Sequence, residues 1–356
     1  MFDESSGKNE YFFSNLINPF TQDKDFVYET LTIDPNNSNL KLKKQKYFLD
    51  NIYLYIKLPS ITLETGTYAR YCKKVAYAIV NNISLFKRSV RIDHIDKYIL
   101  DVINELEKYQ KDNYNNDYLN SFDTMNQNND ILEFFIPLPF WFTRDIKKSL
   151  YCDSDDFELV FDFEDYKSLI KTDGTFTTSG NPEFKIYIKY RIPDNTEVQD
   201  NEMDIFTSNF VTKKLGIGPG ISTLSTDFYM FTKNIYLMFV TKQNLQDKNF
   251  FDYSLNSNSI LKDITIKYRE KYILPEKTPE FILRALNNSS KYIYKINITN
   301  DISIFNQRIR EFYDDLEITI DIGDNQDIVM IAVDEYATRI YKMEDTTTLN
   351  VVNKPI

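Results

Sequence analysis

The sequence predicts an all-β protein of sandwich or barrel type, and three observations carry that expectation. Residues suited to pleated, half-buried surfaces are abundant: aromatics make up 15% of the chain, with 26 Tyr and 27 Phe against only 8 Gly. Short runs alternate apolar and polar side chains at period two, the spacing of a strand with one buried face. Turn residues separate these runs, and strands do not alternate with helical patterns, so a doubly wound parallel sheet is not expected.

Taken in order, residues 1–25 are polar apart from the island Tyr11-Phe12-Phe13. They read as an extended arm too poor in apolar residues to pack by itself, to be ordered by a neighbour or an underlying membrane. Phe26-Val27-Tyr28 and Leu31-Thr32-Ile33 are two strand candidates flanking a short polar gap, followed by the turn chemistry of Asp34-Pro35-Asn36-Asn37. Over 49–58, Ile52, Leu54, Ile56 and Leu58 alternate with Asn51, Tyr53, Tyr55 and Lys57 until Pro59 stops the strand. A helix is expected over 92–106, with Asp93 as N-cap and Ile95, Ile99, Val102, Ile103 and Leu106 on one stripe. Residues 110–130 are Asn-rich and polar, as in an exposed loop. The segment 131–142 is the most apolar in the chain and holds its only tryptophan, Trp141. Pro137 and Pro139 argue that it is extended instead of helical. Further strands are expected at 157–163 and 184–190, then a polar, acidic linker over 193–206. The second half repeats the texture, with strands near 233–240, 264–268, 292–298, 316–322, 329–333 and 339–343 and a short helix over 279–287.

Charge narrows the function classes. A net charge of −11 repels phosphate backbones and argues against sequence-independent nucleic-acid binding. Arg70, Lys73 and Lys74 form a small basic patch, read as a solvated face. Two cysteines, Cys72 and Cys152, cannot build a disulfide framework. Residues 1–10 lack the apolar core of a signal peptide, and no run approaches the ~20 apolar residues of a membrane span. The expectation is a protein made and used inside cells. The glycosylation triplets at Asn82 and Asn297 are then expected to be silent.

No constellation carries chemistry. His94 is the only histidine, so no His pair exists for zinc, and neither Cys-x-x-Cys nor a Gly-x-Ser-x-Gly elbow occurs. In Gly216-Ile217-Gly218-Pro219-Gly220, Pro219 removes a backbone donor and no Lys-Ser/Thr follows, so a turn is expected and not a phosphate loop. The acidic run Asp153, Asp155, Asp156, Glu158, Asp162, Glu164 and Asp165 lacks calcium-loop spacing and, on a strand, splits between two faces. No catalytic, cofactor-binding or metal-ligating residue is assigned, no cofactor is implied, and no enzyme is expected.

One segment adds a resemblance. Ile136-Pro137-Leu138-Pro139-Phe140-Trp141-Phe142-Thr143-Arg144-Asp145 resembles a signature of the major capsid proteins of nucleocytoplasmic large DNA viruses, an apolar Pro-containing stretch running into paired aromatics and Arg-Asp. Leu40-Lys41-Leu42, the run from Asp50 to Pro59, Tyr77 to Leu85 and Lys185 to Arg191 are similar to strands of that family's first roll. Ile235 to Val240, 261–268 and 328–340 are similar to strands of its second. The chain departs from the family after Asp145, where Ile146-Lys147-Lys148-Ser149 replaces small apolar residues.

The resemblance implies two tandem eight-stranded antiparallel jelly rolls with one or two short helices. They would comprise an arm at 1–25, a first roll at 26–192, a linker at 193–206, a second roll at 207–351 and a tail at 352–356. It implies a homotrimer acting as a pseudo-hexameric capsomer of an icosahedral virion shell, assembled in the host cytoplasm. Partners would be neighbouring capsomers, minor capsid or penton proteins and an internal membrane, with no specific nucleic acid. Three alternatives stay open: a scaffold of immature particles with the same fold, a carbohydrate-binding jelly-roll module, and a carboxylate hydrolase using the 153–165 run.

Overall fold

The structure, a computed structural model, describes residues 26–34, 38–43, 47–107, 132–144, 150–152, 157–192, 204–225, 232–268, 271–277, 292–297, 316–325, 327–342 and 349–352. The first half contains β1 (Phe26–Ile33), β2 (Asn39–Lys41), β3 (Phe48–Leu58), β4 (Ile61–Leu63), β5 (Ala69–Tyr71), β6 (Val80–Lys87), β7 (Val90–Ile95), β8 (Leu132–Pro137), β9 (Leu150–Tyr151), β10 (Phe157–Phe163), β11 (Ile170–Thr172), β12 (Phe176–Thr178) and β13 (Glu183–Arg191). The second contains β14 (Asp204–Ile217), β15 (Ile221–Ser225), β16 (Thr232–Thr241), β17 (Ser254–Leu255), β18 (Asn258–Ser259), β19 (Asp263–Tyr268), β20 (Lys271–Lys277), β21 (Tyr294–Asn297), β22 (Leu316–Asp321), β23 (Ile328–Lys342) and β24 (Leu349–Val352). Helices are brief: α1 (Val75–Ala78), α2 (Lys97–Val102), α3 (Trp141–Arg144) and α4 (Lys242–Gln246).

Both halves fold by one plan. In the first, the sheets run β1-β13-β3-β8 and β2-β10-β6-β7; in the second, β14-β23-β16-β21 and β15-β22-β19-β20. Counting the eight principal strands of each half in chain order, both give 1-8-3-6 facing 2-7-4-5. This is the order of a long antiparallel ribbon (1 with 8, 2 with 7, 3 with 6, 4 with 5) rolled so that 8 meets 3 and 7 meets 4, the jelly roll. Period-two alternation fills each interior. Ile52, Leu54 and Ile56 of β3 join Ile83, Leu85, Leu159, Phe161, Ile186 and Ile188 in the first roll. Ile235, Leu237 and Phe239 of β16 join Ile264, Ile266, Ile318 and Ile320 in the second.

Four local expectations are corrected. The helix expected over 92–106 begins later. Val90–Ile95 is strand β7, paired to β6 through a tight turn whose Arg88 and Ser89 have φ of 48° and 65°. Asp96, not Asp93, caps α2 by accepting from Tyr98 N and Ile99 N; the helical spacing of Ile95 yields to its ladder partner Ile83. The 131–142 segment is extended only as far as Pro137. Trp141–Arg144 then makes a helical turn, with Pro139 placed ahead of it, where a missing N–H does no harm, and Thr143 N and Arg144 N bonded to Phe140 O. The two strands expected at 26–28 and 31–33 are one, paired to β13 along its whole length. Finally, residues 204–206, expected in the linker, are ladder residues opposite Tyr341, Ile340 and Arg339, and Val352, expected in the tail, pairs with Arg339. The arm at 1–25, the loop at 110–130, residues 193–203, the helix expected over 279–287 and the tail from 353 lie outside the described residues.

Candidate functional site: the junction between the rolls

The sheet β14-β23-β16-β21 is apolar on both faces, and that decides how the rolls meet. Ile235, Leu237, Phe239, Met330 and Ala332 point into the second roll's own core. Their neighbours Phe210, Tyr236, Met238, Val240, Ile331 and Val333 point the other way and belong to the apolar cluster of the first roll. One core therefore runs from the first roll onto the outer face of the second.

The first roll meets this face with β7 and α1 to α3. The Tyr98 and Tyr77 rings meet Phe251 edge-on at 6.2 and 6.4 Å. Lys214 lies over Tyr98 at 4.9 Å and Lys97 over Phe250 at 4.9 Å. Arg144, from the turn that carries Trp141, donates to the Ser208 carbonyl and lies 4.6 Å from the centre of the Phe210 ring. Asn209 Nδ2 donates to the Ile92 carbonyl at 2.8 Å. Lys171 donates to Asn249 Oδ1, and Lys248 to the Ile170 carbonyl. The junction is thus an apolar layer with cations stacked on aromatic faces, a contact that retains strength when dehydrated.

Buried charges pin it. Lys74 Nζ is paired with Asp101 and lies 2.9 Å from Glu105, while Tyr253 OH of the second roll donates to Asp101 Oδ2 at 2.7 Å. Burial opposes the charge on Lys74, but the two carboxylates outweigh it and hold its pKa above the ordinary lysine range. Asp93 is buried and pushed up to about 7 by that burial, against the nearby Arg144 and the N–H groups of Trp141 and His94 at 3.1 and 2.8 Å. On β23, Glu335 is buried, yet Lys233 at 3.1 Å, Asn234 Nδ2 at 2.6 Å and Arg144 leave its carboxyl below the usual range.

The residues singled out in the sequence do not converge. His94 sits half-buried on β7 opposite Ser84, and burial, with Arg91, lowers its pKa to about 4, so it is neutral at pH 7. Gly216 is the penultimate residue of β14, and Gly218 to Gly220 turn into β15, with Gly220 at φ +82°. Glu158 and Asp162 lie on the outward side of β10, Asp165 caps the following helical turn, and Asp153, Asp155 and Asp156 lie outside the described residues. Cys72 and Cys152 are buried thiols, Cys72 pushed up to about 12 by burial. Among the described residues no three His, Cys, Asp or Glu side chains are grouped to hold a metal ion, and no helix is long and apolar enough to cross a membrane. The basic-patch reading is corrected for Lys74: it is 3% exposed and buried against Asp101 instead of solvated.

Sequence reasoning missed Asp101, Phe251 and Tyr253 and gave Asp93 a different role, because their partners are 27 to 174 positions away. Only Arg144 and Trp141 announced themselves, through the segment they share.

Residues 18–191 match the family model described as the major capsid protein N-terminus. The fold is similar to the capsid protein in a quasi-atomic model of the PBCV-1 virus capsid, with a TM-score of 0.73 at 10% identity over 94% of this chain and 98% of that one. It is similar to the Faustovirus major capsid protein, with a TM-score of 0.66 at 8% identity over 92% of each chain. For the STIV major capsid protein the TM-score is 0.56 at 14% identity, over 88% of this chain and 96% of that one. No curated protein matches the sequence.

Proposed function

Since residues 18–191 match the major capsid protein N-terminus and the fold is similar to that of double jelly-roll capsid proteins, we propose that the chain is a major capsid protein, a structural subunit of a virion, and that it works as a homotrimeric capsomer. The observation that carries the reading is the pair of rolls with one strand order, joined through a shared core. Three such chains present six similar rolls, so a threefold trimer offers a nearly hexagonal outline and tiles a shell of hexagonal facets. In this reading the two domains are residues 26–192 and 204–352. The work is done by surfaces: large, partly apolar contacts inside the trimer and smaller polar ones to neighbouring capsomers and minor capsid proteins. No side chain is assigned catalysis, and assembly takes place in the host cytoplasm.

Light scattering on the size-excluded protein tests this directly. The expected mass is three times the 42.2 kDa chain, with pseudo-hexagonal particles in negative stain. A compact monomer at micromolar concentration overturns it.

A further inference from the structure

Beneath the junction, four side chains from the two rolls converge on one point. Lys74 Nζ donates to Asp101 Oδ1 and lies 2.9 Å from Glu105 Oε1, while the Tyr253 hydroxyl donates to Asp101 Oδ2 at 2.7 Å. An amine, a carboxyl, a second carboxylate on the amine and a hydroxyl on the carboxyl's other oxygen therefore meet. These are the groups that an amide condensation needs: a nucleophile, an electrophile, a proton carrier and a donor for the developing oxyanion.

The backbone aims them at one another. Lys74 has φ 50° and ψ 39°, a left-handed conformation that is costly for a residue with a β-carbon and persists only where its surroundings fix it. It starts α1, whose Tyr77 and Ala78 N–H groups bond back to the Lys74 carbonyl. Asp101 and Glu105, four residues apart, share a face of the segment in which α2 runs on into a π-helical turn, Ile103–Glu107. Such widened turns recur at functional sites.

The site is also dry. Lys74, Asp101, Tyr77, Tyr98 and Tyr253 are buried, and the Phe251 ring lies 5.5 Å from Nζ. Burial there disfavours the hydrolysis that would reverse a condensation. A buried ion pair is a weak source of stability, because both charges are desolvated. Condensation would remove both, and the product would keep its partners, the amide N–H donating to Glu105 and the amide oxygen accepting from Tyr253.

We propose that Lys74 and Asp101 condense in the folded chain to an intramolecular isopeptide bond between Nζ and Cγ, with Glu105 as the catalytic proton carrier. The ammonium first gives one proton to Asp101 Oδ1, leaving a neutral amine and a carboxylic acid. The Nζ lone pair then forms a bond to Cγ, and the displaced π pair goes to Oδ2, held by the Tyr253 hydroxyl. Glu105 takes a second proton from Nζ and passes it to Oδ1. As the Oδ2 pair re-forms the carbonyl, the Cγ–Oδ1 bond breaks and water leaves. Of the three ammonium protons, one stays on the amide and two depart in the water, so no co-reactant is needed. Since Tyr253 belongs to the second roll, the bond forms once the rolls have docked, and it then fastens α1 to α2 on the first roll's side of the junction.

Intact-mass spectrometry of the denatured full-length chain tests this. The wild type should be lighter than its sequence by one water. Trypsin should release residues 74–87 joined to 98–108, because an acylated Lys74 is no longer a cleavage site. Lys74→Arg keeps the charge but cannot close the bond, and Glu105→Gln lacks the proton carrier. Both should show the full sequence mass with the circular dichroism of the folded protein, and Tyr253→Phe should acquire the linkage more slowly than the wild type. Folded wild type at full mass with separate 74–87 and 98–108 regions overturns the proposal, as does a water loss that persists in Lys74→Arg. A linkage formed as fast in Glu105→Gln overturns the role of Glu105.

Discussion

Asp93→Asn should remove a pH-dependent penalty from the fold. The Asp93 carboxyl sits 4% exposed beneath the turn of Trp141, and its pKa is raised from 3.8 to about 7, chiefly by burial. A raised carboxyl pKa means that the folded chain binds the proton more tightly than the unfolded one. Wild-type stability is therefore reduced progressively as pH climbs from about 4 through 7, and is level above that. A shift of about 3 units at about 1.4 kcal/mol per unit corresponds to about 4 kcal/mol. His94 next to it works in the opposite sense. Its pKa is lowered from 6.5 to about 4, so the unfolded chain takes up the proton first and stability is lost as pH falls through 6.5 towards 4. The half-buried imidazole is the more solvated of the two and contributes the smaller slope. In the wild type the two slopes partly cancel. In Asp93→Asn only the histidine slope remains, so the variant gains on the wild type by up to about 4 kcal/mol between pH 4 and pH 8. Asn also loses one of the two N–H acceptors, a constant offset of about 1 kcal/mol that leaves the slope untouched. Urea midpoints followed by Trp141 fluorescence at fixed protein concentration measure the difference. A difference that is the same at pH 4 and pH 8 refutes the reasoning.

Three further outcomes are expected. Lys74→Met strands Asp101 in the junction and should cost about 3–5 kcal/mol, against a smaller loss for Glu105→Gln at the wetter end of the cluster, both read from denaturant midpoints. Trp141→Ala, at 1% exposure beside Phe142, should cost about 3–5 kcal/mol and lower the yield of assembled protein in a sedimentation assay. His94→Gln should leave oligomer mass and particle assembly unchanged at pH 7, where the imidazole is already neutral; loss of a measurable turnover in this variant would reveal an enzyme.

The strands were legible because their signal is local. In β3, Ile52, Leu54, Ile56 and Leu58 face the interior and Asn51, Tyr53 and Lys57 do not, as the alternation predicts. The same logic found β10, β13 and β16, and the segment ending in Trp141-Phe142-Thr143-Arg144 pointed to the family. Where a local pattern competed with a distant partner, the partner won: Ile95 fits a helical stripe but is held by Ile83 of β6, and Asp204 to Phe206 look like linker but lie along β23.

What the sequence by itself determined is the period of each element, hence the all-β class, and an acidic composition with a single histidine. What only the tertiary structure decided is which faces are covered. Tyr236 and Tyr53 both belong to aromatic-rich alternating strands, yet one is buried under the first roll and the other is partly exposed. Lys74 reads as solvated and is buried because Asp101, 27 residues on, and Tyr253 of the other roll come to meet it. Alternation is written in neighbouring residues, whereas burial of a face depends on elements brought to it from far along the chain by the rolling of the ribbon.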